Sequence, residues 1–130
     1  MKRTIFTTVV GILLATLAAH AELLDGTKWK VDVTPAREAA AKGVTAFADE
    51  LVFDSGKFSA VAALAKGFKP APYSADDEGY EIEFESVLTS DSEGRATWAG
   101  GVENGALTGK LEYIKKDGAK VYFTFKGVRE

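Results

Sequence analysis

The chain has 130 residues, with 19 acidic and 16 basic side chains, one histidine, one methionine and no cysteine. That length suits one domain around a single core, and the lack of cysteine excludes disulfide staples and thiol chemistry. A net charge of −3, with both signs interspersed, disfavours a nucleic-acid partner, which requires a concentrated basic face.

Residues 1–21 read as a cleavable signal peptide. Lys2 and Arg3 supply the positive start, residues 5–18 a mainly apolar run, and Ala19-His20-Ala21 small residues at the two recognition positions, so cleavage is expected after Ala21. The expected location is periplasmic or secreted. The run is too short for a membrane-spanning helix, and nothing later approaches the roughly 20 apolar residues a bilayer requires. Residues 22–130 then hold 14 basic against 19 acidic side chains, a net of −5, with no histidine, cysteine or methionine.

The first predicted strand covers residues 27–34, where Lys28, Lys30 and Asp32 alternate with Trp29, Val31 and Val33. Thr34 as cap, Pro35 at the first helical position, the run 36–42 and Gly43 as stop predict a helix of about two turns. Strands follow over 46–54, 57–64, 80–91, 95–103, 106–115 and 119–128, divided by Ser55-Gly56, Ser92-Glu93-Gly94, Asn104-Gly105 and Lys116-Asp117-Gly118. Seven strands in a meander could close only with a parallel seam, whereas an eighth makes closure antiparallel. The candidate is 68–74, the weakest strand because Pro70 and Pro72 remove N–H groups from one side of it. The fold expected is all-β: an antiparallel up-and-down meander barrel of about eight strands in one domain, residues 22–130. The alternative is a strongly curled open sheet.

Register follows from the turns, because directly opposed residues share a face. A two-residue Asn104-Gly105 turn sets Trp98 opposite Leu111 and Gly100 opposite Gly109. A three-residue loop at Lys116-Asp117-Gly118 sets Phe123 opposite Leu111 and Phe125 opposite Gly109. A three-residue Ser92-Glu93-Gly94 loop sets Leu88 opposite Trp98 and Phe84 opposite Val102, and a two-residue Ser55-Gly56 turn sets Phe53 opposite Phe58. Leu88, Trp98, Leu111 and Phe123 then form one inward row, and Ser86, Gly100, Gly109 and Phe125 the next.

The second row is short of side chains. Two glycines beside Ser86 make a trough walled by aromatics with one hydroxyl, which suits a small apolar or amphipathic ligand held by Ser86, Leu88, Trp98, Gly100, Gly109, Leu111 and Phe123. The other readings are that Trp29 or another large residue fills the trough, or that the glycines let strands bend at a barrel corner. Trp29 reads as core; Trp98, at the end shared with the helix, could line an open mouth.

Catalytic groups are scarce. Six serines in residues 22–130 have no histidine base, and zinc sites draw on histidine or cysteine. Glu81, Glu83 and Glu85 alternate outward. Asp49 alone is set inward, opposite Ala62, where a buried hydrogen-bond acceptor is the ordinary role. Asp76-Asp77-Glu78 reads as a hydrated turn rather than a calcium loop. Neither cofactor nor metal is expected, and no enzymatic activity.

With an exported meander barrel, Trp29 just inside the first strand and a helix after it, the chain resembles the lipocalin-like, or calycin, group. Gly26 and Trp29 correspond to the family's Gly-x-Trp opening, spaced one residue wider, and Arg129 to the arginine that packs across that tryptophan. The resemblance implies a non-enzymatic barrel for a small apolar ligand. The competing expectation is a protein-interaction or inhibitor module with a filled interior, whose partner protein meets Val52, Val61, Val87, Ile114 and Tyr122 if these form one outward patch.

Overall fold

The computed structural model describes residues 22–130; the expected signal peptide, residues 1–21, lies outside the described residues. A short 3-10 turn, Glu22–Leu24, leads into β1 (Thr27–Pro35), α1 (Arg37–Ala41), β2 (Phe47–Asp54), β3 (Lys57–Ala60), α2 (Val61–Leu64), β4 (Ala71–Asp77), β5 (Ile82–Ser90), β6 (Gly94–Glu103), β7 (Ala106–Lys115) and β8 (Lys120–Arg129). Consecutive strands pair antiparallel, and β8 pairs with β1 to complete a closed eight-stranded barrel. The open-sheet alternative is thereby excluded. No helix among the described residues is long and apolar enough to cross a membrane.

Alternation dictates the core. Along β1 every second residue is buried, from Thr27 through Trp29 and Val31 to Val33, while the lysines and Asp32 stay outside. Leu51 and Phe53 of β2, Phe58 of β3, Tyr73 of β4, Phe84 and Leu88 of β5, Trp98 of β6, Leu111 of β7, and Phe123 and Phe125 of β8 complete the interior. Each fully buried phenylalanine contributes roughly 1.5–3 kcal/mol. The rings of Phe53, Phe58, Tyr73, Phe84, Trp98 and Phe125 touch in series with centroid separations of 4.9 to 6.4 Å.

Turn chemistry sets register where the loop is shortest. Ser55 and Gly56, at φ 54° and 78°, and Asn104 and Gly105, at 55° and 77°, each place two residues in the left-handed region, which a primed hairpin turn requires. Phe53 opposes Phe58 and Trp98 opposes Leu111 as expected. The three-residue loop before β8 likewise sets Phe123 against Leu111 and Phe125 against Gly109.

Four local expectations need correction. The loop between β5 and β6 is Asp91-Ser92-Glu93, with Ser90 paired to Gly94, so Ser86 opposes Trp98 and Phe84 opposes Gly100. This two-residue slip keeps every side chain on its expected face and changes only its neighbours. Strand β3 stops at Ala60, where the alanine-rich segment turns into α2; the carboxylate of Asp49 accepts the Ala62 N–H at 2.8 Å, a donor that a longer strand would have spent on pairing. Pro35 remains in β1 opposite Phe123, and the helix starts at Arg37. The segment expected over 68–74 pairs instead over Ala71–Asp77, with Pro70 outside it. Its seam with β3 comprises only Lys57 with Pro72 and Phe58 with Ala71.

Candidate functional site

The two ends of the barrel differ. At the end carrying the β2–β3 turn, Leu24 is buried and its N–H is accepted by the Tyr73 hydroxyl at 3.2 Å. Tyr73 in turn donates to Asp25 at 2.8 Å, and both oxygens of Asp25 accept the Gly56 N–H at 2.9 and 3.0 Å. Thr27 donates to the Leu24 carbonyl at 2.7 Å and accepts the Trp29 indole N–H at 2.9 Å. Each of these buried polar groups therefore has a partner among the described residues. Arg129 is the cross-strand partner of Trp29 there.

The opposite end holds a cavity of about 520 Å³ beneath the segments that follow α1 and α2. Its walls include two edge-to-face aromatic pairs, Phe47 with Phe123 at 5.9 Å and Phe68 with Tyr113 at 6.0 Å, with Trp98 and Leu111 also bordering the hollow. Val44, Ala63, Ala96 and Val121 add apolar surface, and the exposed Lys66 and Lys115 stand at the rim. The Tyr113 hydroxyl is already committed to Glu93, donating toward its carbonyl at 3.0 Å or its carboxylate at 3.1 Å. Burial and that hydrogen bond push the Tyr113 phenol up from its ordinary value.

Two residues that border this cavity, Trp98 and Asp49, each carry a buried polar atom. Trp98 is 1% exposed, Asp49 8%. Among the described residues neither the indole Nε1 of Trp98 nor Oδ2 of Asp49 has a hydrogen-bond partner. The other Asp49 oxygen accepts the backbone N–H groups of Glu50 at 2.7 Å and Ala62 at 2.8 Å, which locks the carboxylate in place. Burial pushes the Asp49 carboxyl up from its ordinary value, against the opposing pull of those two N–H groups. Buried polar atoms are nearly always paired, so these two distinguish this end from the one around Leu24 and Tyr73.

The expected trough is closed. A Cβ on Gly109 would lie 2.5 Å, and one on Gly100 3.0 Å, from Cζ of Phe125. Phe125, rather than Trp29, fills the space the glycines leave. Ser86 donates to the Pro72 carbonyl at 2.9 Å and is spoken for, and Leu88 is fully buried in the core. Of the seven residues expected to form the site, Trp98, Leu111 and Phe123 come together at the mouth, while Ser86, Leu88, Gly100 and Gly109 line no part of that cavity. Asp49, Phe47, Phe68 and Tyr113 were missing from that set. The inward register of Asp49 was the one available signal.

Elsewhere the surface is less specific. A larger groove, about 980 Å³, crosses the outer faces of β1, β2 and β8 among Lys30, Asp32, Glu50 and Lys126, all accessible to water. The outward Val52 lies between Lys28 and Ser59, Val87 opposite Thr97, Ile114 between Arg95 and Lys120, and Tyr122 opposite Glu112. Polar neighbours thus separate them. Asp77 accepts the Gly79 N–H at 2.9 Å within the acidic turn, and no group of three His, Cys, Asp or Glu among the described residues could hold a metal ion.

Comparison with protein-family models, curated proteins and solved structures finds no match for this chain.

Proposed function

We propose that the chain is an exported, lipocalin-like, non-enzymatic barrel that binds a small amphipathic molecule in the mouth cavity between α2 and β8. The carrying observation is the hollow of about 520 Å³ at the mouth, walled by Phe47, Phe68, Trp98, Tyr113 and Phe123. An apolar concavity with a few placed polar groups is the common form of a small-ligand site. Export rests on the leader pattern of residues 1–21, and the lack of catalysis on a chain without histidine or cysteine after residue 21. The outer-surface reading has less behind it, because Val52, Val87, Ile114 and Tyr122 have polar cross-strand neighbours and only Val61 of the five lines the outer groove, with Val128.

The two indoles make the test direct. Trp29 already donates to Thr27, whereas the Trp98 indole has no hydrogen-bond partner among the described residues. In a nitrogen-15 NMR titration with 4-phenylbutan-1-ol, the Trp98 indole N–H resonance is expected to shift while that of Trp29 stays in place. Ala63→Phe, which fills the hollow from α2, should abolish the shift. Movement of both resonances together, or of neither, argues against the mouth as the site.

A further inference from the structure

The fold sorts charges that the sequence intersperses. At the mouth, the connections 36–46, 61–70, 91–93 and 116–119 carry five basic side chains, Arg37, Lys42, Lys66, Lys69 and Lys116, against Glu38, Asp91, Glu93 and Asp117. At the other end, residues 25–26, 55–56, 78–81, 104–105 and 130 carry Asp25, Glu78, Glu81 and Glu130 and no basic side chain. The sign of the charge thus changes from one end of the barrel to the other, and a gradient of that kind draws anions toward the mouth. The cavity itself has the same balance. Two exposed lysines, Lys66 and Lys115, line it against one carboxylate, that of Asp49. The Asp49 carboxylate is inaccessible, with one oxygen accepting two backbone N–H groups and the other buried. Of the nearby acids, Glu93 accepts from the Tyr113 hydroxyl and Asp117 from the Ala119 N–H. The two ammonium groups, on flexible four-carbon stems, are therefore the charges of this cavity that a ligand can reach.

We infer that the ligand of the mouth cavity is an amphipathic anion, its head at the rim with the Lys66 and Lys115 ammonium groups and its apolar body inward against the aromatic walls. This rests on the mouth being the binding site, as proposed above. Desolvation fixes the orientation: an anionic head carried inward would exchange water for aromatic rings and approach the Asp49 carboxylate, whereas at the rim it stays hydrated and paired. A cationic head is opposed by both lysines at the rim, and the carboxylate that would favour it is closed to it.

Three probes that share one body separate head-group chemistry from simple burial: 4-phenylbutanoate, 4-phenylbutan-1-ol and 4-phenylbutylamine, titrated at neutral pH and low salt with the Trp98 indole resonance as readout. The carboxylate is expected to bind about fivefold more tightly than the alcohol, the margin of exposed ion pairs, and the amine most weakly. Added salt should shrink that margin and leave the alcohol unchanged. In the double variant Lys66→Gln, Lys115→Gln the carboxylate and alcohol should bind within about twofold of each other, while Lys57→Gln, which removes an exposed lysine beside the β2–β3 turn at the far end, should keep the full margin. A carboxylate no tighter than the alcohol, an amine that binds most tightly, a margin that survives the double variant, or one lost equally in Lys57→Gln each overturns the anion assignment while leaving the mouth as a site. Failure of all three probes removes the site itself. The wild-type order and its salt dependence decide the matter even where a variant does not fold.

Discussion

Asp49 borders the mouth, and its titration should be visible in stability. The folded state raises the Asp49 carboxyl above its value in the unfolded chain, chiefly by burial, so the native state holds that proton more tightly. Its contribution favours folding at acid pH and is lost as pH rises through the folded-state value. Relative to Asp49→Asn, the wild type should therefore lose stability between acid pH and neutrality, measured by urea denaturation at several pH values; an unchanged difference would contradict the buried, unpaired carboxylate. The glycines beneath Phe125 act by shape alone. Gly109→Ala places a methyl against the Ala99 carbonyl oxygen and the Phe125 ring and should destabilise the barrel by about 3 kcal/mol or more, of which only the ring's share can be relieved by trimming Phe125. Phe125→Leu introduced together with it should show a favourable coupling in a double-mutant cycle.

Among the elements, legibility in the sequence followed loop length. Asn104-Gly105 and Ser55-Gly56 allow essentially one geometry, so the pairs around them could be read from residue types. At Ser92 two placements of a three-residue loop, one residue apart, shift the register by two and keep the same face, and no alternation of apolar residues can separate them. Helix α2 was hidden for another reason: its alanines suit the end of a strand or a helical turn, and Asp49, distant in sequence, settles the matter through the Ala62 N–H. The same dependence on distant partners concealed the mouth, whose walls come from loops and from strands that meet only on closure. The β3–β4 seam, held by two residue pairs, is where the cylinder should open first. Native-state hydrogen exchange is expected to show amides of β3 and of the start of β4 less protected than those of β6 and β7, which share ten pairs. Equal protection would mean that side-chain packing across the seam compensates for its few hydrogen bonds.

For the molecule as a whole, closure requires β1 to meet β8, which lies at the far end of the domain sequence. Non-local pairing of this kind slows folding, and refolding from urea followed by tryptophan fluorescence is expected on a timescale of roughly milliseconds to seconds. Microsecond refolding would imply that most of the barrel's stabilisation is local. The closed cylinder also makes its two ends unequal. Around Leu24, Tyr73, Asp25 and Gly56 hydrogen bonds hold the chain together; around Val44, Phe47, Ala63 and Val121 the side chains border the cavity and pack only on the edge of the core. Such a barrel can be retuned from one side. Substitutions confined to those four mouth positions should redirect which molecules are accepted while lowering the melting temperature less than substitutions of Leu24 or Tyr73, so that a family of receptors with differing preferences could be built on one unaltered base.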